Sequence, residues 1–193
     1  YHYSGISGNS SKSRMKQDYY KKKITIARCD KKGNILGPIE RWEAHEKAVL
    51  HRAFSVVIFY KGKYIIQHRK HPVFDGVLDV SSSSHQIFKS GQLQDTIEAV
   101  YQCLEREWHL TKKDLLKLPK DLGTVYYKAK DKFSIYSEHE VCNVVICTTK
   151  KLPPIVEEVS YGYLLLEKKD LSSPRIAPLL APWVVAMIKE KLL

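Results

Sequence analysis

The run VSSSSH at residues 80–85 and the segment that follows it, residues 92–110, organise the rest of the chain. The first is a series of small hydroxyl side chains that ends in His85, and it predicts a short polar loop. The second spaces its apolar residues three to four positions apart, which predicts one buried face of an amphipathic helix. Those apolar residues are Leu93, Ile97, Val100, Leu104 and Trp108. We expect the remaining elements to bring metal-binding side chains to this loop.

Strand patterns lie on both sides of the loop and helix. Residues 53–60 read as a buried strand, followed by a Lys61–Gly62 turn and a hairpin partner at residues 63–68. Further strands are predicted at residues 22–29, 123–130, 140–148 and 160–166, with a short helix or ordered loop at 39–49 and a Pro-initiated helix at 182–193. This mixed order with one hairpin predicts an α+β fold, or more narrowly an α/β/α sandwich.

The 193 residues suffice for one domain with a sizeable core, which we assign to residues 22–193. Residues 1–21 are rich in Ser, Gly and Lys, and they predict a flexible basic tail. The net charge is +11, and residues 1–23 hold six basic residues and one acidic residue. The remaining positive charge of the body suits a small-molecule substrate that carries phosphate groups.

Several other classes of protein are disfavoured by composition. No apolar run reaches the 18–20 residues of a membrane span, and no apolar signal-peptide core is visible near the start. The four cysteines are scattered, as expected of reduced thiols in a cytoplasmic protein. The basic segments lack the aromatic interleaving of nucleic-acid-binding modules, so we do not expect a nucleic-acid partner. The sequence leaves the oligomeric state open.

Five side chains stand out as candidate metal ligands. Two histidines lie just before a predicted buried strand, a third closes the serine run, and two glutamates two positions apart share one face of a later strand. They are His45, His51, His85, Glu138 and Glu140. Imidazole and carboxylate groups together suit a divalent ion such as Zn²⁺ or Mn²⁺. Taken singly, histidines and glutamates in such positions are more often ordinary surface or hydrogen-bonded residues than metal ligands.

The run HRAFSV at residues 51–56 resembles a segment of the type I isopentenyl-diphosphate isomerases, the isomerase branch of the Nudix superfamily. The resemblance extends over residues 24–193. It includes EHEVC at residues 138–142, which resembles the family's Glu-x-Glu-Val-Cys, and Pro182–Trp183, which resembles its Pro-Trp. It implies a Nudix-type α/β/α sandwich with a mixed sheet.

The resemblance also implies roles for individual residues. The three histidines with Glu138 and Glu140 would bind one divalent ion (Mg²⁺, Mn²⁺ or Zn²⁺), and Glu107 would bind a Mg²⁺ ion carried by the substrate diphosphate. Glu140 would also be catalytic, as would Tyr127 and Trp183. The basic residues that would contact the substrate are Arg41, Arg69 and Lys70.

Two features differ from the family pattern. Ser83 occupies the position of the family's catalytic cysteine, and a hydroxyl without an adjacent base is a much weaker acid than a thiol. The helix reads QCLERE at residues 102–107, so only Glu107 stands at a carboxylate position of the hydrolytic Nudix motif.

The resemblance implies that the chain is a metal-dependent isomerase that shifts a proton across the allylic carbons of a prenyl diphosphate, with Ser83 in the acid position and low or altered activity. Two alternatives remain open: a Nudix hydrolase of nucleoside or other organic diphosphates, and a catalytically silent diphosphate-binding protein.

Overall fold

A computed structural model describes residues 19–193. Most of the predicted basic tail, residues 1–18, lies outside the described residues. The strands of the described part are β1 (Thr25–Cys29), β2 (Ile35–Glu40), β3 (His51–Tyr60), β4 (Lys63–Arg69), β5 (Leu78–Asp79), β6 (Ser82–Ser84), β7 (Phe88–Lys89), β8 (Gln92–Leu93), β9 (Lys120–Lys130), β10 (Ser137–Thr148) and β11 (Ser160–Leu166). The α-helices are α1 (Arg41–Glu46), α2 (Thr96–Trp108) and α3 (Pro182–Lys189), with short 3₁₀ turns at Lys112–Asp114, Lys168–Ser172 and Ala177–Leu179.

Strand β3 is at the centre of a mixed sheet to which residues 19–193 contribute nine strands. It pairs antiparallel with β1, β4 and β6 and parallel with β10, which in turn pairs antiparallel with β9. The predicted hairpin is confirmed, since Tyr60 pairs with Lys63 across the two-residue turn. Strands β7 and β8 form a separate small ribbon.

The two faces of β3 pack against different layers because its side chains alternate. Phe54, Val56 and Ile58 pack with the apolar face of α2. Ala53 and Val57 belong to a second core that includes α3. The fold is therefore a helix layer on each side of a mixed sheet, and the predicted α+β sandwich is confirmed. No helix among residues 19–193 combines the length and apolar character needed to cross a bilayer.

The serine run is strand rather than loop, which corrects the sequence prediction. Strand β6 pairs with β3, and Ser81 and Ser82 are almost completely buried. The Ser81 hydroxyl accepts a hydrogen bond from the amide of Ile58 and donates one to the carbonyl of Ile65. The Ser82 hydroxyl accepts from Nε1 of Trp108 at 2.7 Å. Small hydroxyl groups can enter the interior here because each finds a partner.

The central helix is shorter than predicted at its N-terminal end. Asp95 caps α2 by accepting a hydrogen bond from the amide of Glu98, so the helix begins at Thr96. Residues 92–93, which the periodicity assigned to the helix, form β8 instead. Helix α1 begins similarly, where the Glu40 side chain accepts from the amide of Glu43. Strand β2, which the sequence did not predict, ends at this cap.

Candidate metal centre and active-site pocket

His45 and His51 are held by backbone hydrogen bonds that fix their ring orientation. His45 lies in α1, and its Nδ1 contacts the carbonyl of Arg41 at 2.7 Å. His51 opens β3, and its Nδ1 contacts the carbonyl of Val49 at 2.7 Å. A carbonyl only accepts, so Nδ1 carries the proton in both rings. In the neutral form, each Nε2 therefore presents a lone pair, which is the arrangement of a histidine that binds a metal.

The two glutamates reach the same place from β10. Glu138 and Glu140 are alternate residues of that strand, so both side chains point to one face, and the parallel register places Glu140 opposite His51. Glu138 Oε2 lies 3.2 Å from His45 Nε2. Glu140 Oε1 lies 3.3 Å from His51 Nε2 and 3.0 Å from His85 Nε2. His85, just after β6, completes the group.

The five predicted ligands are therefore brought together, with one ligand atom from each within 4.8 Å of the others. Glu138 Oε2 is buried, and its 3.2 Å contact with His45 Nε2 does not have hydrogen-bond geometry, so no donor among residues 19–193 satisfies it. A buried carboxylate oxygen without a donor is costly unless a cation accompanies it. Three imidazoles and two carboxylates are also a donor set that divalent transition metals favour. The cluster is thus suited to a divalent metal ion.

The charges within the cluster are strongly coupled. Burial lowers the pKa of His45, but the adjacent Glu138 carboxylate outweighs it and raises the value to about 9. Burial raises the pKa of Glu140, but the hydrogen bond and charge of His51 outweigh it and lower the value to about 2. Burial, with the neighbouring rings of His51 and His45, holds the pKa of His85 well below its ordinary value. Glu140 is therefore an anion at neutral pH.

A pocket opens beside the cluster and is lined by most of the other predicted site residues. Tyr127 on β9 pairs with Glu140 across the strands, and its hydroxyl donates a hydrogen bond to Glu140 Oε2. The indole of Trp183, at the start of α3, is buried, with its centroid 5.7 Å from that of Tyr127. Both rings line the pocket. Glu140 thus directs Oε1 toward the histidines and Oε2 toward the phenol.

Ser83 lines the pocket and has two hydrogen-bonding neighbours behind it. Its Oγ lies 2.9 Å from the hydroxyl of Ser55 and donates to Asp79 Oδ1 at 3.3 Å. Asp79 is fully buried, accepts from Trp183 Nε1 at 2.6 Å and pairs with Arg69 Nη1 at 3.0 Å. The Ser83 hydroxyl, at the position where the resembling isomerases have a cysteine, therefore has a carboxyl group beside it.

The three basic residues that were predicted to contact the substrate all line the pocket, but they differ in the partners that already hold their side chains. Arg41 donates through Nη2 to the carbonyls of Tyr19 and Tyr20, while its buried Nε has no partner among the described residues. Arg69 is held by Asp79 and by the carbonyl of Val73. Lys70 is exposed and donates to the carbonyl of Glu157.

Glu107 also lines the pocket but lies outside the five-residue cluster. Its Oε1 is 2.6 Å from Nη2 of Arg106, which also donates to the Ser84 hydroxyl. The other two glutamates of α2, Glu98 and Glu105, are exposed. Of the glutamates on this helix, therefore, only Glu107 reaches the pocket.

Sequence reasoning missed several residues at the site. Gln67 lines the pocket, and its buried side-chain nitrogen has no partner among residues 19–193. Tyr19 and Tyr20, assigned to the basic tail, line the pocket as well. The ring of Tyr19 stacks under the guanidinium of Arg106, 4.2 Å from centroid to Cζ. Only one signal could have found Asp79, namely a charged residue inside an otherwise apolar GVLDV segment before the serines.

Solved structures of other proteins share this architecture. A protein of Deinococcus radiodurans superposes with a TM-score of 0.64 at 17% identity, covering 87% of this chain and 98% of that one. A MutT protein of Methanosarcina mazei gives 0.56 at 13% identity, covering 74% and 92%. A MutT Nudix hydrolase of Burkholderia pseudomallei gives 0.53 at 16% identity, covering 75% and 98%. The chain has the Nudix fold.

The sequence of this Nudix-fold protein is similar to an isomerase. The human isopentenyl-diphosphate delta-isomerase 2 is 30% identical over an alignment of 132 residues, and the match covers 61% of this chain and 57% of the human protein. The matched region therefore spans little more than half of that relative. No family model matches the chain. The comparisons therefore show a Nudix fold and a partial sequence similarity to an isomerase, and they leave the reaction of this chain open.

Proposed function

We propose that the protein is an isopentenyl-diphosphate isomerase-type enzyme that interconverts isopentenyl and dimethylallyl diphosphate. The observation that carries the proposal is the composition of one pocket. A carboxylate–phenol pair, Glu140 with Tyr127, lines it together with the hydroxyl of Ser83 and the indole of Trp183. A 1,3-proton shift needs an acid, a base and a group that tolerates a developing cation, and these side chains can supply all three.

In the proposed reaction, a proton is added to the terminal methylene carbon of isopentenyl diphosphate and another is removed from C2. Ser83 stands in the acid position, and Glu140 Oε2 takes the C2 proton with the help of Tyr127. Positive charge develops at C3 between these steps, and the face of Trp183 would stabilise it by a cation–π contact. The double bond moves by one carbon, and no group leaves.

The five-residue cluster would hold a divalent ion, for which Zn²⁺, Mn²⁺ and Mg²⁺ are the candidates. When bound, such an ion supplies positive charge that keeps the Glu138 and Glu140 carboxylates ionised and fixed in place. Glu107 would bind a Mg²⁺ ion on the substrate diphosphate. Arg41, whose Nε has no partner in the described part of the chain, would contact the diphosphate oxygens together with Lys70. Arg69 would hold the wall of the pocket through Asp79.

Hydrolysis of a diphosphate by the Nudix route is the second candidate, and the helix argues against it. That chemistry uses several carboxylates of one helix to hold Mg²⁺ for attack by water. In α2, Glu98 and Glu105 face solvent and Glu107 alone lines the pocket. One carboxylate would have to replace several.

The test is conversion of isopentenyl diphosphate, followed by chromatography of the products with Mg²⁺ and Mn²⁺ present. We expect wild-type turnover to be measurable, Ser83→Cys to raise it about tenfold or more, and Glu140→Gln to lower it by about 10²–10⁴-fold. Glu105→Gln, an exposed carboxylate of α2, is the matched control and should leave it unchanged.

The proposal fails if wild type and Ser83→Cys are both inert on isopentenyl diphosphate while the metal is bound. Release of monophosphate from a panel of nucleoside and organic diphosphates would then identify a hydrolase. Ligand-induced thermal stabilisation without turnover would identify a silent diphosphate-binding protein.

A further inference from the structure

Resting on the proposed function, we infer that Asp79 is the proton reservoir of the acid position, passing its proton to substrate through the hydroxyl of Ser83. The carboxyl group itself does not line the pocket, so Asp79 acts through Ser83. Ser83 is the only hydroxyl side chain among residues 19–193 that both lines the pocket and contacts Asp79. The two residues together would donate the proton that a single cysteine thiol donates in the isomerases that the chain resembles.

The geometry supports a carboxyl group that is built into this position. Asp79 lies in β5, which pairs with β4 so that Asp79 is opposite Gln67, and it has no exposed surface. Oδ2 pairs with Arg69, while Oδ1 accepts from Trp183 Nε1 at 2.6 Å and from Ser83 Oγ at 3.3 Å. A buried aspartate is costly to keep, and this one is surrounded by the residues that form the pocket wall.

The proton balance of the step is simple. When Asp79 is protonated, its O–H donates to Ser83 Oγ across the same 3.3 Å contact, which reverses the hydrogen bond that Ser83 gives to the carboxylate. That O–H breaks as its proton passes to Ser83 Oγ, and the Ser83 O–H breaks as its proton bonds to the terminal methylene carbon. Ser83 is neutral before and after, and Asp79 ends as a carboxylate. Glu140 gains the proton lost from C2, so one turnover leaves one proton to be returned to Asp79 from Glu140 through solvent.

Asp79 has a pKa that permits this cycle. Burial raises the pKa of Asp79 to about 6, against the opposing effects of Arg69, the Trp183 N–H and the Ser83 hydroxyl. The other charged or titratable groups that face it are Glu107 from α2, which raises the value further, and the Cys142 thiol of β10, whose own pKa burial raises well above its ordinary value. A general acid with a pKa near the working pH is the effective kind.

A purely structural role for Asp79 is the competing account, because it also holds Arg69 and Trp183. The two accounts differ when Ser83 is replaced by a group that carries its own acidic proton. A thiol has a reference pKa of about 8.5 and needs no carboxyl group behind it. Loss of the carboxyl group should therefore lower kcat strongly with serine at position 83 and only slightly with cysteine there. If Asp79 only holds Arg69 and Trp183 in place, its loss would lower kcat equally in both backgrounds.

The experiment is a double-mutant cycle with Asp79→Asn and Ser83→Cys, assayed as isopentenyl diphosphate turnover from pH 5 to pH 9. Asp79→Asn should lower kcat by about 100-fold or more in the wild-type background and less than about fivefold in the Ser83→Cys background. Wild-type kcat should fall as pH rises through about 6, because the protonated carboxyl group is lost there. This fall in kcat near pH 6 should be absent from both variants that contain Ser83→Cys.

Equal losses in the two backgrounds would overturn the inference while leaving the proposed function standing, since the Ser83→Cys enzyme would still turn over. Inactivity of both wild type and Ser83→Cys would instead remove the proposed function, and the inference with it. Melting temperature and bound metal, measured for all four proteins, identify a variant that has lost its fold. In that case the inference is decided by one comparison: kcat should fall as pH rises through about 6 in wild type and should not fall there in Ser83→Cys.

Discussion

The Nε2 atoms of His51 and His85 lie 3.2 Å apart, although these residues are 34 positions apart in the chain. The Nδ1 proton of His51 is committed to the carbonyl of Val49, so a neutral His51 directs a lone pair at His85. Glu140 Oε1 lies within 3.3 Å of both nitrogens. Two imidazole nitrogens and a carboxylate oxygen in contact at the end of a buried strand are stabilised best by a shared cation.

The first prediction follows from this contact: a divalent metal should stabilise the fold through His51. At about 100 times its Kd, a metal contributes roughly 2.7 kcal/mol, which corresponds to about 5–11 °C in the melting temperature of a chain of this size. His51→Ala should lose most of that gain. Thermal melts with and without Zn²⁺ or Mn²⁺, after treatment with a chelator, measure it.

His139→Ala is the matched control for the metal prediction. His139 lies between the two glutamates in β10, but it bonds to the carbonyl of Ala48 and contacts the hydroxyl of Tyr126, outside the cluster. The metal should stabilise this variant as it does wild type. An equal response of His51→Ala and wild type to metal would show that the cluster does not bind the ion.

The second prediction concerns the buried serines of β6. Ser82→Ala should lower the free energy of unfolding by about 1–3 kcal/mol, because it leaves the buried Nε1–H of Trp108 without its acceptor. Ser172→Ala, at an exposed position, should change it by less than about 0.5 kcal/mol. Urea unfolding of the three proteins makes the comparison. Equal stability of Ser82→Ala and wild type would mean that another group satisfies the indole.

Local patterns predicted much of the fold, but they marked the five clustered residues only as candidates, and the family resemblance grouped these residues as one ligand set. The period-two spacing of Glu138 and Glu140 predicted a shared face, and the helical spacing that ends at Trp108 predicted the packed face of α2. What local patterns do not contain is register. The parallel pairing that sets Glu140 opposite His51 joins residues 89 positions apart, and only the folded sheet determines it.

The serine run was misassigned for a related reason. Four consecutive serines read locally as a polar loop, and nothing near them in sequence provides the partners that allow burial. Those partners come from β3, β4 and the end of α2, namely the amide of Ile58, the carbonyl of Ile65 and the indole of Trp108. The same limitation hid the contact between Ser83 and Asp79, since the carboxyl group is placed there by its pairing with β4.

The third prediction concerns the pH dependence of stability, with the sign set by Asp79. Its pKa of about 6 in the folded chain exceeds the ordinary value of 3.8, so the folded state holds this proton more tightly than the unfolded state. The contribution to stability is therefore largest below pH 4 and is lost as pH rises from about 4 to 6. Asp79→Asn cannot titrate, so its stability relative to wild type should rise over that range, by up to about 3 kcal/mol.

Urea unfolding of wild type and Asp79→Asn at pH 4, 5, 6 and 7 measures this difference. The variant is expected to be the less stable protein at pH 4–5, because the NH₂ group of the amide cannot accept the hydrogen bond that one carboxyl oxygen accepts from Arg69 or Trp183. Only the change with pH carries the prediction. A constant difference across the four values would show that Asp79 does not titrate in this range in the folded protein.

The final prediction separates the two proposed metal sites through Glu107. This carboxylate is paired with Arg106 and lies outside the cluster, so Glu107→Gln should leave the cluster ion bound at the wild-type ratio. It should raise the Mg²⁺ concentration needed for half-maximal isomerase activity by about tenfold or more, which is about 1.4 kcal/mol or more of Mg²⁺ binding. Metal analysis of the purified variant and Mg²⁺ titration of its activity measure the two effects separately.

Glu105→Gln, on the solvent face of the same helix, is the control and should alter neither the bound cluster ion nor the Mg²⁺ requirement. Loss of the cluster ion from Glu107→Gln would instead mean that this glutamate and the five ligands form a single site, because a Mg²⁺ ion carried by the diphosphate alone is absent from purified protein.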